Sequence, residues 1–146
     1  MGRASGFDDD DRRARPYDGY TRLDLPTFEV RAGCDALSRL RVRWQEVFAS
    51  FALLHRAAEA LQAVDTDELR APVEPTTGRG IGWAEAPQGE VFYIVDLDEE
   101  RILRCKPRSA SFHNLVLFHD VFAGDVLTDF PFIEASFGVS IAGVAG

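Results

Sequence analysis

Cysteine, histidine and lysine are all scarce in this chain, and each shortage removes a class of chemistry. There are two cysteines, Cys34 and Cys105, and three histidines, His55, His113 and His119. No Cys-x-x-Cys, His-Glu-x-x-His or Gly-x-Ser-x-Gly occurs, so the signatures of zinc proteases, dithiol redox sites and serine hydrolases are missing. Ser111 and His113 sit two apart, a spacing that does not bring a nucleophile to its base on a helix or a strand. His113 and His119 lack a third ligand for zinc. Gly78, Gly80 and Gly82 are not followed by Gly-Lys-Ser/Thr, so they do not form a phosphate loop.

Positive charge is also short, at 16 Lys and Arg against 24 Asp and Glu, a net charge of -8. That balance argues against nucleic acid and against an anionic membrane surface as partners. No apolar run approaches the roughly 20 residues needed to span a bilayer, so no direct membrane span is expected. The N-terminus is charged and carries no secretory signal. Without one, free thiols in a reducing compartment fit Cys34 and Cys105 better, although the count also allows a disulfide. At 146 residues the chain is long enough for one domain with a sizeable core.

What is present reads in blocks. Residues 1–32 look irregular. The acidic run Asp8 to Asp11, followed by Arg12, Arg13 and Arg15, offers carboxylates to a divalent cation. The spacing of a calcium loop is absent, and a solvated charged loop is the expectation. Pro16-Tyr17-Asp18-Gly19-Tyr20 supplies turn chemistry, and 25–30 looks extended. Over 35–63, Leu37, Leu40, Trp44, Val47, Phe48, Phe51, Leu54, Ala58 and Leu61 recur at helical steps, with Asp35 as N-cap. Arg39, Arg43, Glu46, Arg56 and Glu59 lie opposite. His55 on this helix is expected to be a hydrogen-bonded structural residue. Residues 71–81 read as a linker. Two runs, 90–95 and 101–106, read as a β-hairpin, and the period of two puts Arg104, Lys106 and Arg108 on one strand face. A short helix is expected over 112–122, ended by Gly124, followed by an apolar, small-residue tail.

Several of these stretches, taken together in order, carry a resemblance. Arg3-Ala4-Ser5-Gly6, Asp11-Arg12-Arg13, Pro16-Tyr17, Tyr20, and Asp35, Arg39, Val42-Arg43 and Glu46 come first. Glu85-Ala86-Pro87-Gln88-Gly89-Glu90, then Arg104-x-Lys106-x-Arg108-x-x-Ser111-Phe112-x-Asn114-Leu115, Gly124 and Asp129 follow. This pattern resembles the large-subunit family shared by respiratory complex I, an NADH-quinone oxidoreductase in which it is the 49-kDa subunit, and the membrane-bound group 4 nickel–iron hydrogenases. The resemblance implies an α+β chain: a long bundle helix, a β-hairpin and a short C-terminal helix, a partial form of the NiFe-hydrogenase/complex I large-subunit fold. Residues 1–146 would form a single partial domain, beginning where the family's second half begins.

The departures from the family shape the functional expectation. The hydrogenase nickel site uses two Cys-x-x-Cys pairs, the second of which would fall near 134–143, where no cysteine stands. The quinone-contacting histidine and tyrosine would lie in the half that this chain does not contain. Gln88 replaces the basic residue that normally precedes Gly89, and the usual terminal Val-Asp-Arg reads Val144-Ala145-Gly146. The resemblance therefore implies no catalytic residue and no cofactor on this chain, with the quinone or NiFe centre present only in a full-length relative. Arg12, Arg13, Arg39, Arg43, Glu46, Glu85, Glu90, Arg104, Lys106 and Arg108 are expected in structural polar roles. The three strand cations would form buried pairs with carboxylates such as Glu85 or Glu90. The implied role is scaffolding beside an iron–sulfur small subunit and other subunits of a membrane-bound redox complex, peripheral on the cytoplasmic face. A truncated, non-catalytic subunit-binding protein is the alternative.

Overall fold

Asp35 opens the longest element: its carboxylate accepts the Ser38 backbone N–H at 2.7 Å and caps α2, Ala36–Gln62. At 1.5 Å per residue this helix is roughly 40 Å long. The computed structural model describes residues 2–29, 32–64 and 74–144. Within them α2 is amphipathic in an inverted sense. Its apolar stripe faces outward, with Leu40, Trp44, Phe48, Phe51 and Leu54 between 58% and 66% exposed. Ser38, Arg39, Val42, Ala49 and Leu53 face inward. The periodicity correctly groups residues by face, but the polar flank bearing Arg39 and Glu46 is the one the chain covers. His55 lies 3.3 Å from Glu59 one turn on, with its side chain 79% exposed.

The expected hairpin is part of a larger sheet. β1 (Gly78–Ala86), β2 (Gly89–Asp98) and β3 (Arg101–Arg108) form an antiparallel sheet in the order β1-β2-β3. The linker expected over 71–81 is therefore corrected, because Gly78 to Ile81 are strand; residues 71–73 lie outside the described residues. Pro87-Gln88 closes the first turn, with Gly89 at φ +131. A side chain is disfavoured at that angle. Glu99-Glu100 closes the second turn. A register shift between Asp96 and Leu97 places Asp96 opposite Arg104 and Leu97 opposite Ile102. One face of the sheet thus carries Glu85 opposite Glu90, Trp83 opposite Phe92 and Phe92 opposite Arg108.

The N-terminal block is more ordered than the sequence suggests. It holds a 3-10 turn at Gly2–Ser5, α1 at Asp11–Ala14 and a second 3-10 turn at Asp18–Thr21. The single helix expected over 112–122 is two short ones, α3 (Ala110–Val116) and α4 (Phe118–Val121). α5 (Phe130–Phe137) gives part of the apolar tail a place, since Ile133 and Phe137 are buried and α5 packs on α2. Phe118, Phe122, Phe130 and Phe137 form an aromatic cluster with centroids 4.8 to 5.6 Å apart. The buried apolar set is small and no large side chain among the described residues is fully buried.

Gly138 ends α5 at φ +61, donating its N–H to Glu134 O and Ala135 O. Left-handed backbone costs a non-glycine residue about 1–2 kcal/mol, and a Cβ here would also collide with the Arg43 guanidinium. Gly138→Ala should therefore cost about that much stability, read as a lower urea midpoint. An unchanged midpoint would show that α5 does not need this cap.

Candidate functional site

The N-terminal block, α2 and β1 are joined by charge. Arg3, only 4% exposed, pairs with Asp10 and Glu46 and lies 3.8 Å from Glu85. Arg12 reaches Asp10 at 2.7 Å and Glu46 at 3.5 Å, and its backbone N–H also donates to Asp10. The guanidinium carbons of Arg3, Arg12 and Arg13 all lie over the Phe28 ring, 4.8, 5.3 and 5.2 Å from its centroid. A second group continues outward: Asp11 pairs with Arg15, Arg15 reaches Glu90 at 2.8 Å, and Glu90 accepts from Arg108 at 2.9 Å. Tyr17 Oη accepts the Glu85 backbone N–H at 2.9 Å. An open cavity of about 290 Å³ adjoins the cluster, lined by residues including Arg3, Asp11, Arg15, Glu85 and Glu90.

The acidic run is thus corrected. Asp8 and Asp9 are exposed, but Asp10 and Asp11 are buried, 3% and 6% exposed. Arginines adjacent in sequence and in space compensate that burial, which an unpaired carboxylate could not sustain. Burial alone would raise the Asp10 pKa, but hydrogen bonds and charge from Arg12, with Arg3 behind, hold its carboxyl below the usual range. Burial works against the charge of Arg12 too, and its bond to Asp10 with the neighbouring carboxylates overcomes this and raises its pKa. Glu85 goes the other way. Burial pushes its carboxyl up, the Asp10 charge adds to this, and the Asp11 N–H with Arg3 and Arg12 opposes it only in part.

Arg39 and Arg43 face α5 instead. Arg39 donates to Ser136 Oγ at 2.9 Å and to Cys34 O at 3.1 Å, and its guanidinium lies 4.1 Å from the Phe137 ring centroid. Burial is the main reason its pKa falls below the ordinary arginine value. Arg43 donates to Ala135 O at 3.4 Å, near the carbonyl end of α5, where the helix dipole favours a cation. Beside them a polar seam fastens the C-terminal segment. Gln88 Nε2 donates to Gly138 O at 3.1 Å, Asn114 Nδ2 to Gln88 O at 3.3 Å, and the Ser140 N–H to Ser111 Oγ at 3.1 Å.

The sequence therefore groups its residues only in part. Arg12, Glu46 and Glu85 meet in one cluster; Arg13 stacks on Phe28 and reaches Pro26 O. The expectation of buried pairs for the strand cations is corrected, because every residue of β3 is exposed in this chain. Arg108 does find Glu90, Arg104 lies 3.9 Å from Asp96, and Lys106 has no carboxylate at ion-pair distance among the described residues. Exposed pairs contribute about 0–1 kcal/mol, so Arg108→Ala should change stability by less than about 1 kcal/mol in urea titration. A larger loss would mean that Glu90 depends on Arg108 more than its exposure allows. Missed as site residues were Arg3, Asp10, Asp11, Phe28 and Tyr17. Arg3, Asp11 and Tyr17 were visible as parts of the family motif, and Asp10 and Asp11 as parts of the acidic run.

Buried charge thus joins the N-terminal block, α2 and the sheet, while the apolar face of α2 is turned outward. The family follows from comparison. Over residues 1–77 and 69–145 the sequence matches the family described as respiratory-chain NADH dehydrogenase, 49 Kd subunit, and the chain belongs to that family. It is 31% identical over 99% of its length to an NADH-quinone oxidoreductase subunit of Chlorobium chlorochromatii (strain CaD3), covering 38% of that protein. It is 33% identical over 93% of its length to a carbon monoxide-induced hydrogenase of Rhodospirillum rubrum, covering 37% of it. Formate hydrogenlyase subunit 5 of Escherichia coli (strain K12) is 30% identical over 93% of the chain, covering 24% of that protein. In three dimensions the chain matches a subunit of the membrane-bound sulfane sulfur reductase, an archaeal respiratory membrane complex, with a TM-score of 0.84 and 24% identity. That match covers 99% of this chain and 41% of the other and shows the fold. The chain spans about two fifths or less of these proteins.

Proposed function

We propose that this chain is a non-catalytic scaffold of a membrane-bound redox complex of the complex I and hydrogenase type, seated against an iron–sulfur subunit. The observation that carries this reading is α2, whose charged flank is engaged internally while Leu40, Trp44, Phe48, Phe51 and Leu54 are left exposed. A contiguous apolar face of this kind marks a protein–protein contact. The relatives named as quinone oxidoreductase and hydrogenase subunits support the class of complex. Among the described residues no helix is long and apolar enough to cross a membrane. In this reading attachment runs through other subunits, on the cytoplasmic face.

The donor set does not fit a nickel–iron centre. Where the family resemblance places the second cysteine pair, residues 134–143 offer Glu134, Ser136 and Ser140 and no thiolate. Soft thiolates are the ligands such a centre needs. Cys34 and Cys105, both free and exposed, lie elsewhere. The seam at Gln88, Ser111 and Gly138 is closed by its own hydrogen bonds, which favours the scaffold over a site.

Affinity purification of the tagged chain from its native cells tests the proposal. Co-purifying subunits with iron–sulfur electron paramagnetic resonance signals are the expected result, and quinone-reductase activity of the captured assembly would identify its chemistry. Capture without quinone-reductase or hydrogenase activity would favour the alternative, a purely structural subunit-binding protein. Recovery of the chain as a stable monomer free of partners would overturn both.

A further inference from the structure

Charge does not balance in the cluster joining the N-terminal block, α2 and the sheet. Asp10, Glu46 and Glu85 share two guanidiniums, Arg3 and Arg12. Asp11 and Glu90 share Arg15 and Arg108. Five carboxylates thus face four cations, and one carboxyl is left without a full partner. The hydrogen bonds identify it. Asp10 accepts from both guanidiniums and from the Arg12 backbone. Glu46 accepts from Arg3. Among the described residues the Glu85 carboxylate receives only the Asp11 N–H, at 3.4 Å, with Arg3 no nearer than 3.8 Å. It also lies directly opposite Glu90 in the β1–β2 register, an arrangement of like charges that destabilises a strand pair.

A second observation points to the same place. Asp11 is 6% exposed and lines the cavity with Glu85, and its Oδ2 is buried without a hydrogen-bond partner among the described residues. An orphaned acceptor there calls for a donor, and the nearby cations are already engaged.

We propose that Glu85 is a proton-binding site, holding an exchangeable proton that neutralises the cluster and passes to and from solvent through the adjoining cavity. In the neutral state the carboxyl O–H is a donor beside the Asp11 carboxylate. On release the proton leaves to cavity water as hydronium, and the Glu85 carboxylate competes with Asp10 and Glu46 for Arg3. The site thereby links proton occupancy to the docking of the N-terminal block on β1. Tyr17, the remaining titratable group against Glu85, is held to its backbone and has its own pKa raised by burial, so it stays neutral as Glu85 titrates.

Carbon-13 carboxyl shifts of the full, uniformly labelled chain, followed from about pH 3 to about pH 9, test this. The Glu85 carboxyl should titrate above the ordinary glutamate value of about 4.3, and that transition should vanish in Glu85→Gln. A Glu85 midpoint at or below the ordinary value overturns the proposal, and the wild-type titration decides this even if Glu85→Gln fails to fold. Stability provides a second reading. A group whose pKa is raised on folding contributes stability below its unfolded pKa that is lost as pH rises through the folded one. Wild type should therefore lose stability across that window relative to Glu85→Gln, and parallel curves would also overturn the assignment.

Discussion

Asp10→Asn should cost this chain about 3–5 kcal/mol of stability in urea titration at neutral pH. Breaking a buried ion pair by neutralising one partner leaves the other charge buried and uncompensated, and losses of about that size follow. Asp10 is the anion on which both Arg3 and Arg12 converge. Its loss would remove the hydrogen bonds that Asp10 accepts from both guanidiniums and leave Arg12 with its nearest carboxylate, Glu46, at 3.5 Å. Domains of this kind have only about 5–15 kcal/mol in hand. The neighbouring Asp9 is exposed, and Asp9→Asn should stay within about 0.5 kcal/mol. Acid provides an independent check. The Asp10 pKa is depressed on folding, so its contribution is present above the ordinary aspartate range and is lost as pH falls through the depressed value. Wild type should weaken across that acid window and Asp10→Asn should weaken less. If the two substitutions cost the same, the Arg3–Asp10–Arg12 cluster is not what holds the N-terminal block in place.

The elements legible in the sequence were those fixed by neighbours along the chain. Asp35 and the three-and-four spacing mark α2 to within a residue at each end, because a cap and a helical face are local properties. The apolar spacing of α2 also implies a face that needs neighbouring helices, and that face is exposed in this chain; that the polar flank would be the covered one was not legible. β1 was missed because Gly78, Gly80 and Gly82 carry almost no intrinsic strand preference. The strand exists through its register with β2, from Gly78 opposite Leu97 to Ala86 opposite Gly89.

The cluster was hidden for a related reason. A run of four acids reads as a solvated loop until Arg3 and Glu46 are brought to it, and those two are 43 positions apart. Family motifs marked Arg3, Asp11, Glu46 and Glu85 as notable. Only the fold shows that three of them, Arg3, Glu46 and Glu85, converge. The strand cations illustrate the opposite error. Arg104, Lys106 and Arg108 share a face as their spacing requires, yet among the described residues every residue of β3 is exposed.

In the proposed role, the double variant Trp44→Ala/Phe48→Ala should abolish capture of partner subunits while leaving the fold of the chain intact. The two rings sit one helical turn apart in an edge-to-face pair, centroids 5.7 Å apart, and are 62% and 60% exposed. Large aromatics at the centre of a contact commonly cost about 2–4 kcal/mol each when truncated. Even about 4 kcal/mol for the pair weakens binding close to a thousandfold, enough to lose a partner during purification. Because these side chains make few contacts inside the chain, its own urea midpoint should move little. The inward residues behave oppositely. Leu53→Ala, at a site only 8% exposed, should cost about 2–5 kcal/mol and reduce capture only by unfolding the chain. That contrast makes the test decisive. If Trp44→Ala/Phe48→Ala lowered the stability of the chain as much as Leu53→Ala does, the outward face would be packed within the chain. If capture survived the double variant, the partner would dock elsewhere, and the uncovered cationic face of β3 would be the next surface to alter.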